Sequence, residues 1–556
     1  MAAAATADLS TTGIPATATK PWRPSVNPWI VAMTVTLATF MEVLDSSIAN
    51  VALPHIAGGL GATQDEATWV LTAYLVANAV ILPAGAYMTT FIGRKKFYMI
   101  CVALFGISSA MCGLAPTLPL LVFFRILQGI GGGGLAPSEQ AILADTFPPE
   151  KRGQAFAMYG LAVVVAPAIG PTLGGYITDN FDWRWIFFLN VPICLLSLFL
   201  THRIVEDPPY VKAEVAQSQK GGIRLDLLGF ALVGLTFGSL EFVLDKGQED
   251  DWFGSHVITF FCVVMVVAFV TLIWWELKQL REGHRPLLNL TLFTRRSFAI
   301  SFVLMFVLGF SLYGTTILIP QFVQTLLGYT AELAGLVLSP AGFMMMAMMP
   351  VVGFLSSKVD PRKLLGYGFF MLTASLVYMA NINLGVSYGE LVLMRIFQAS
   401  GLAFLFIPIN TLAYVGVKQT ENNDVSGLTN LARNIGGSCG TAFMATLLVR
   451  RSQAHENSMV RNLTGGNPAY NQQIQSLSGM FKAGNGTGPS GGAFGGASEG
   501  AIHQAQGFIY NQMHAQAATL AYIDIIRYLT IFCGLMLPLL FFIPRPPKNA
   551  AASAGH

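Results

Sequence analysis

Residues Arg125–Asp179 read RILQGIGGGGLAPSEQAILADTFPPEKRGQAFAMYGLAVVVAPAIGPTLGGYITD. Two apolar spans rich in small residues are joined here by a short loop carrying Glu150, Lys151 and Arg152. Each span is long enough to cross about 30 Å of hydrocarbon, and the basic loop marks one side of the membrane. Arg125 opens the body of the first span, with glycines at Gly129 and Gly131 to Gly134. The second carries Pro167 and Pro171 among Gly170, Gly174 and Gly175. Small residues let helices approach closely, while proline removes an amide donor and distorts the helix. A chain that only filled the bilayer needs neither feature, so the pair reads as a moving part.

The whole chain extends this pattern. Of its 556 residues 53% are hydrophobic and only 11% charged, and the mean hydropathy is +0.57. Apolar runs of about 20 residues recur up to Phe542, which predicts an all-α polytopic membrane protein rather than a soluble α/β protein. The net charge of +3 is too small to argue for nucleic acid and reads instead as topology. Cys101, Cys112, Cys194, Cys262, Cys439 and Cys533 all fall in predicted spans without zinc-like spacing, so neither a disulfide framework nor a metal site is expected.

Fourteen spans are predicted near 30–53, 67–90, 97–116, 119–141, 154–177, 184–202, 225–244, 254–275, 297–319, 332–355, 363–381, 389–412, 428–449 and 521–543. An even number puts both termini on one side. Basic residues crowd the loops and tails of that side, from Lys20, Arg23 and Arg94 to Lys96 through Arg295, Arg296, Arg362 and Lys363 to Arg545 and Lys548. The other side holds Arg184, Lys246, Arg450, Arg451, Arg461 and Lys482. Both termini are therefore expected in the cytoplasm.

An internal echo divides the chain. GAYMTTFIGRKK ends at Lys96 and GFLSSKVDPRK ends at Lys363; Arg125-ILQG and Arg395-IFQASG follow two spans later. Matching turns in two halves suit a transporter built of two related bundles. The expected organisation is a disordered tail at 1–29, a six-helix bundle at 30–203, a linker with two additional spans at 204–276, a second six-helix bundle at 277–543 and a tail at 544–556. A long outer loop at 450–520 has a Gly/Ser-rich middle and helix-compatible flanks at 468–479 and 501–520.

Charges buried in spans are functional candidates. Glu42 and Asp45 lie three residues apart on one helix face, a pairing suited to taking up and releasing a proton. Arg125 is the expected partner or sensor of Asp45. Arg395 occupies the matching place in the second half, with no carboxylate at the matching place of the ninth span. Arg433 reads as structural or gating, near the cytoplasmic end of its span, and Glu241 as an interfacial or cavity-edge group. Phe40, Asn78, Gln128, Tyr313, Gln321, Gln324, Gln398 and Asn410 are candidates for a substrate cavity, since amides in spans seek partners or ligand. No phosphate-binding loop, dinucleotide fingerprint or hydrolase elbow is present, so uphill transport would draw on an ion gradient and no cofactor.

In order along the chain, LDSSIANVALP of the first span, the Gly85-to-Lys96 turn, Arg125-ILQG, the GPTLGG run ending at Gly175 and WRWIFFLNVP at 183–192 resemble motifs of the major facilitator superfamily. Within it they are most similar to the fourteen-helix drug:proton antiporters of the EmrB and QacA type, the EmrB branch being the closer. The resemblance implies export of lipophilic toxic compounds across the cell inner membrane in exchange for protons. It makes Asp45 and Arg125 the coupling pair, and Pro167, Gly170, Pro171, Gly174 and Gly175 the antiporter motif. It makes Gly85, Gly93 and Arg94 a latch between halves, in which Thr89 stands where an acidic residue is common. It further implies a periplasmic adaptor protein and a TolC-like outer-membrane channel as partners. A proton-coupled exporter of one metabolite, siderophore or lipid-like compound would share the fold and motifs. A facilitator would work without the antiporter motif, and a non-transporting scaffold would tolerate loss of Asp45.

Overall fold

A computed structural model describes residues 22, 24–220, 226–484 and 499–543. Residues 1–21 and Arg23 of the expected tail at 1–29, the tail at 544–556, Arg224 and the loop centre at 485–498 lie outside the described residues, and α1 begins within the expected first tail at Pro28. The described chain is helical. It runs α1 (Pro28–Leu60), α2 (Gln64–Ile92), α3 (Arg94–Leu114), α4 (Leu118–Gly133), α5 (Leu135–Thr146), α6 (Arg152–Asn180), α7 (Trp185–Phe188), α8 (Asn190–Ile204), α9 (Pro209–Lys220) and α10 (Leu227–Lys246). It continues with α11 (His256–Arg281), α12 (Arg296–Thr325), α13 (Ala331–Ser356), α14 (Pro361–Met379), α15 (Tyr388–Ala413), α16 (Asn422–Val460), α17 (Pro468–Gly484), α18 (Glu499–Gly534) and α19 (Met536–Leu539).

Every predicted span coincides with a helix, although 119–141 breaks at Gly134 and 184–202 at Leu189. Eleven helices among the described residues are long and apolar enough to cross a membrane, and the bent α6 makes a twelfth. The two other predicted spans are α14 and α16, whose basic or small polar residues dilute their apolarity. α1 to α8 form one bundle and α12 to α18 the other, and α6·α13 and α2·α16 are the main seams between them.

Glycine lets the bundles close. A Cβ at Gly436 would overlap the Phe306 carbonyl, and one at Gly309 the Arg433 carbonyl, so α12 and α16 touch backbone to backbone. Gly93 sits at φ +90 between α2 and α3, a conformation that L side chains resist, and turns the chain sharply before Arg94. The two additional helices do more than connect. α10 packs along α2, where Thr72 donates to Asp245 and Trp69 stacks on Phe242, and reaches α16, where Ser438 Oγ donates to Glu241 Oε1 at 2.6 Å.

On the basic side the halves are laced together. Arg94 pairs with Asp145 in a buried contact, Asn422 Nδ2 donates to Asp145 Oδ1 at 2.8 Å, and Asn423 Nδ2 donates to Thr89 Oγ1 at 2.6 Å. Asp145, from the end of α5, thus supplies the negative charge that Thr89 lacks. Deeper in, Arg433 donates to Tyr159 at 2.5 Å, Tyr159 to Asn430 at 2.7 Å, Asn430 to Gln140 at 2.9 Å and Gln140 to Asn410 at 3.1 Å. These side chains alternate between α5 or α6 and α15 or α16, which closes the basic side with a polar seam.

Breaking a buried ion pair costs about 3–5 kcal/mol, so Asp145→Asn should open this seam. A cysteine replacing the buried Ser426 should then react with a membrane-impermeant maleimide about tenfold faster or more; an unchanged rate would remove Asp145 from the latch. Gly436→Ala should destabilise by about 1–3 kcal/mol through overpacking, read as a lower thermal midpoint in detergent. Gly175→Ala, which meets open space, should leave the midpoint unchanged.

Candidate functional site

The sequence places a carboxylate, Asp45, midway along α1, and the fold brings three other helices to it. Arg125 on α4 donates from one terminal nitrogen to Asp45 Oδ2 at 2.5 Å and to Gln128 Oε1 at 2.9 Å. Gln128, one turn further on, returns its amide to Asp45 Oδ1 at 3.0 Å. Asn190, the first residue of α8, donates to the same oxygen at 2.6 Å. Arg125 Nε closes on the Val70 carbonyl at 3.0 Å, and the Tyr74 ring lies 4.3 Å from the guanidinium centre. Arg125 is fully buried and Asp45 is 3% exposed. A charge pair so far from water persists only when nearly every lone pair and proton is matched, and here that condition is met for the carboxylate.

Glu42 stands one turn away and belongs to a different environment. Tyr74 Oη and Asn78 Nδ2 each donate to its Oε1 at 3.1 Å, and the Arg433 charge acts on it across the seam between halves. Arg433 lies in the first third of α16. It is buried and ties to Tyr159 in the polar seam.

The bent helix α6 lies against α1 immediately beyond Asp45. Pro171 has no amide hydrogen, so the Pro167 carbonyl four residues earlier loses its helical donor. Ser47 Oγ on α1 donates to that carbonyl at 3.3 Å. A Cβ at Gly170 would overlap Ser47, and one at Gly174 would press on Ile48 at 3.1 Å. The two segments of α6 meet at 43°. Gly175 makes no such close approach. Gly85 packs under Phe97, where a Cβ would sit 3.3 Å from the ring.

The cavity candidates divide. Gln128 is committed to Asp45, Asn78 to Glu42, Asn410 to the polar seam and Glu241 to Ser438. Phe40 packs in the outer core of the first half, and Tyr313 lies against Gly437 at the α12·α16 contact. Gln321 and Gln324 are exposed at the far end of α12. Gln398 lines a cavity with Arg395.

Several participants were not singled out in the sequence. Asn190 is inside the WRWIFFLNVP motif, and an amide within a predicted span was its signal. Tyr159, Asn430 and Asp145 become visible only when the halves meet. Glu139, wholly buried on α5, accepts from Thr36 Oγ1 at 2.5 Å and leaves its second oxygen without a partner; a carboxyl in the middle of an apolar span was a signal in plain view. Among the described residues no group of His, Cys, Asp and Glu is arranged to hold a metal ion, and the six cysteines are unpaired.

The family model described as Major Facilitator Superfamily matches residues 35–441. The probable multidrug resistance protein EmrY of Escherichia coli (strain K12) is 33% identical over 94% of this chain and 96% of its own. The multidrug export protein EmrB of the same strain is 36% identical over 81% of this chain and 86% of its own. Among solved structures, a double-tryptophan variant of XylE aligns with a TM-score of 0.56 at 15% identity, covering 93% of this chain and 96% of that one, a likeness of fold. A buried Asp–Arg pair inside one helical bundle, beside a proline-bent helix that packs on the other, is thus set in a chain that belongs to the Major Facilitator Superfamily.

Proposed function

We propose that the chain is a proton-coupled antiporter that exports lipophilic toxic compounds across the inner membrane, with both termini cytoplasmic. The observation that carries this reading is the contact sequence from Asp45 to the bend of α6. The multidrug-export names of its relatives support the cargo class.

The chemistry follows from charge balance. With Asp45 ionised, its carboxylate neutralises Arg125. A proton arriving at Asp45 leaves Arg125 as a buried cation with no counter-ion, a state costing several kcal/mol unless helices shift or solvent enters. α1 cannot shift without moving Ser47 and Ile48, which bear on Gly170 and Gly174 of α6. α6 in turn packs along α13 of the other half. Protonation at one helix thereby biases the seam between bundles, the arrangement alternating access requires. The polar seam of Arg433, Tyr159, Asn430 and Gln140 holds the cytoplasmic side shut while the carboxylate is charged.

The outer loop fits a partner outside the membrane. α16 has 39 residues, a length of about 58 Å at 1.5 Å per residue, well beyond a 30 Å hydrocarbon core. Together with α18 and α17 it forms a projecting group held by the 2.5 Å His514–Glu456 pair and the Phe481–Phe508 contact. A periplasmic adaptor leading to a TolC-like outer-membrane channel is the partner pair this projection would serve.

Asp45→Asn in proteoliposomes with an imposed pH gradient should abolish proton-driven export of lipophilic cations and uncoupler-like weak acids, with an elution profile close to wild type and a thermal midpoint lowered by the unpaired Arg125. Full gradient-driven export by that variant would sink the coupling assignment. Removing residues 468–484 should leave export in proteoliposomes intact and lower resistance in whole cells by about tenfold; equal resistance would separate the projection from any adaptor.

A further inference from the structure

α11 packs along α10, and a cavity of about 510 Å³ separates it from α12 and α16 of the second bundle. Met265, Phe269, Ile273 and Glu276, three or four residues apart, turn one face of α11 to this space over about 16 Å. Phe237 on α10, Phe293 just before α12 and Phe302 on α12 add aromatic walls, and Leu431 and Ile435 of α16 stand behind them. Val266 and Phe269 are exposed, so the cavity opens on the lipid-facing side of α11. Its volume falls within the range of small-molecule sites, about 300–1,000 Å³.

Two polar side chains border this otherwise apolar space, Thr236 and Glu276, and both are buried. The Leu287 amide donates to Glu276 Oε2 at 2.9 Å, and the Leu288 amide lies beside the same carboxyl. Glu276 Oε1 and Thr236 Oγ1 have no hydrogen-bond partner. Asp45, Asp145 and Asp424 are buried against Arg125, Arg94 and Arg285, but no Lys, Arg or His among the described residues pairs with Glu276. Lys278, two residues on, turns to Glu282 at 3.8 Å, and the charge that acts on Glu276 is another carboxylate, Asp226. A carboxylate in such a place calls for a cation, and the aromatic walls favour one further because ring faces attract ammonium groups.

We propose that this cavity is a binding site for a lipophilic amine, with its ammonium group on Glu276 Oε1 and its apolar body along Phe269, Met265 and Phe302. Lys278 and Arg281 follow in the last turn of α11, so Glu276 stands at the basic end of the span. An amine lying in that leaflet presents its charged head at this depth while its body stays in hydrocarbon. Entry from the lipid side needs no opening of the seam between the bundles. The occupant also bears on α16, the helix that carries Asn430 and Arg433 of the polar seam. Binding here does not depend on Asp45 coupling transport to protons.

The test is photolabelling of the full chain in phosphatidylcholine nanodiscs with 4-benzoylbenzylamine, whose benzophenone attaches to nearby C–H bonds, followed by peptide mapping. 4-Benzoylbenzyl alcohol and 4-benzoylbenzoate carry the same body with a neutral or anionic head. The amine should label segments 265–273, 293–302 and 428–435 saturably, at least about tenfold more than either control. Labelling should fall at least about tenfold in Glu276→Gln, which keeps an oxygen for the Leu287 amide, and likewise in Leu240→Trp, which fills the cavity. Asp45→Asn should label as wild type, so a failed coupling reading and a failed amine site give different results. Equal labelling by the alcohol, or unchanged labelling in a folded Glu276→Gln or Leu240→Trp protein, would overturn the proposal. So would loss of labelling when half the lipid is phosphatidylethanolamine, whose own ammonium would then be the occupant.

Discussion

A single ion pair in a place without water sets the terms for the rest of the molecule. Asp45 and Arg125 are held at 2.5 Å, with Gln128 and Asn190 donating to the carboxylate and the Val70 carbonyl accepting from Arg125 Nε, while the second terminal nitrogen of Arg125 has no hydrogen-bond partner. Each partner is costly alone in this environment, and the proposed cycle uses that cost to tie a proton to a rearrangement. The glycines of α4 serve the same end: a Cβ at Gly129 would meet the Tyr74 carbonyl at 2.5 Å, and that closeness presses α4 onto α2 and keeps Arg125 under the Tyr74 ring.

The second constraint is the proline of α6. Removing one amide at Pro171 frees one carbonyl at Pro167, and Ser47 takes it. The bend therefore depends on α1, the helix that bears Asp45. Chemistry and hinge share two turns of one helix, and no long relay is needed between them. The polar seam on the basic side completes the arrangement, because hydrogen bonds between amides, a tyrosine and one arginine can be exchanged for water at small net cost.

Much of this was legible in the sequence. The spans follow from apolar length, and the Asp45–Arg125 partnership from opposite charges set in two spans of the first half. Pro171 and Gly170 announced a bend and a close approach. What the sequence hid were contacts between halves: Asp145 substitutes for the acidic group absent at Thr89, and Tyr159 reaches Asn430 across 271 positions. Such pairings depend on how two bundles dock, which local periodicity does not encode. Asn410 and Gln128 illustrate the converse, as amides in spans that looked free for ligand are spent on protein partners.

The most direct test of the central claim is substrate-dependent proton flux. Purified protein in liposomes with an entrapped pH-sensitive dye is given an imposed pH gradient and then a lipophilic cation. The account predicts that the cation speeds collapse of the gradient in the wild type and has no effect in Asp45→Asn. Equal acceleration by both proteins would place the exchanged proton elsewhere and contradict the account.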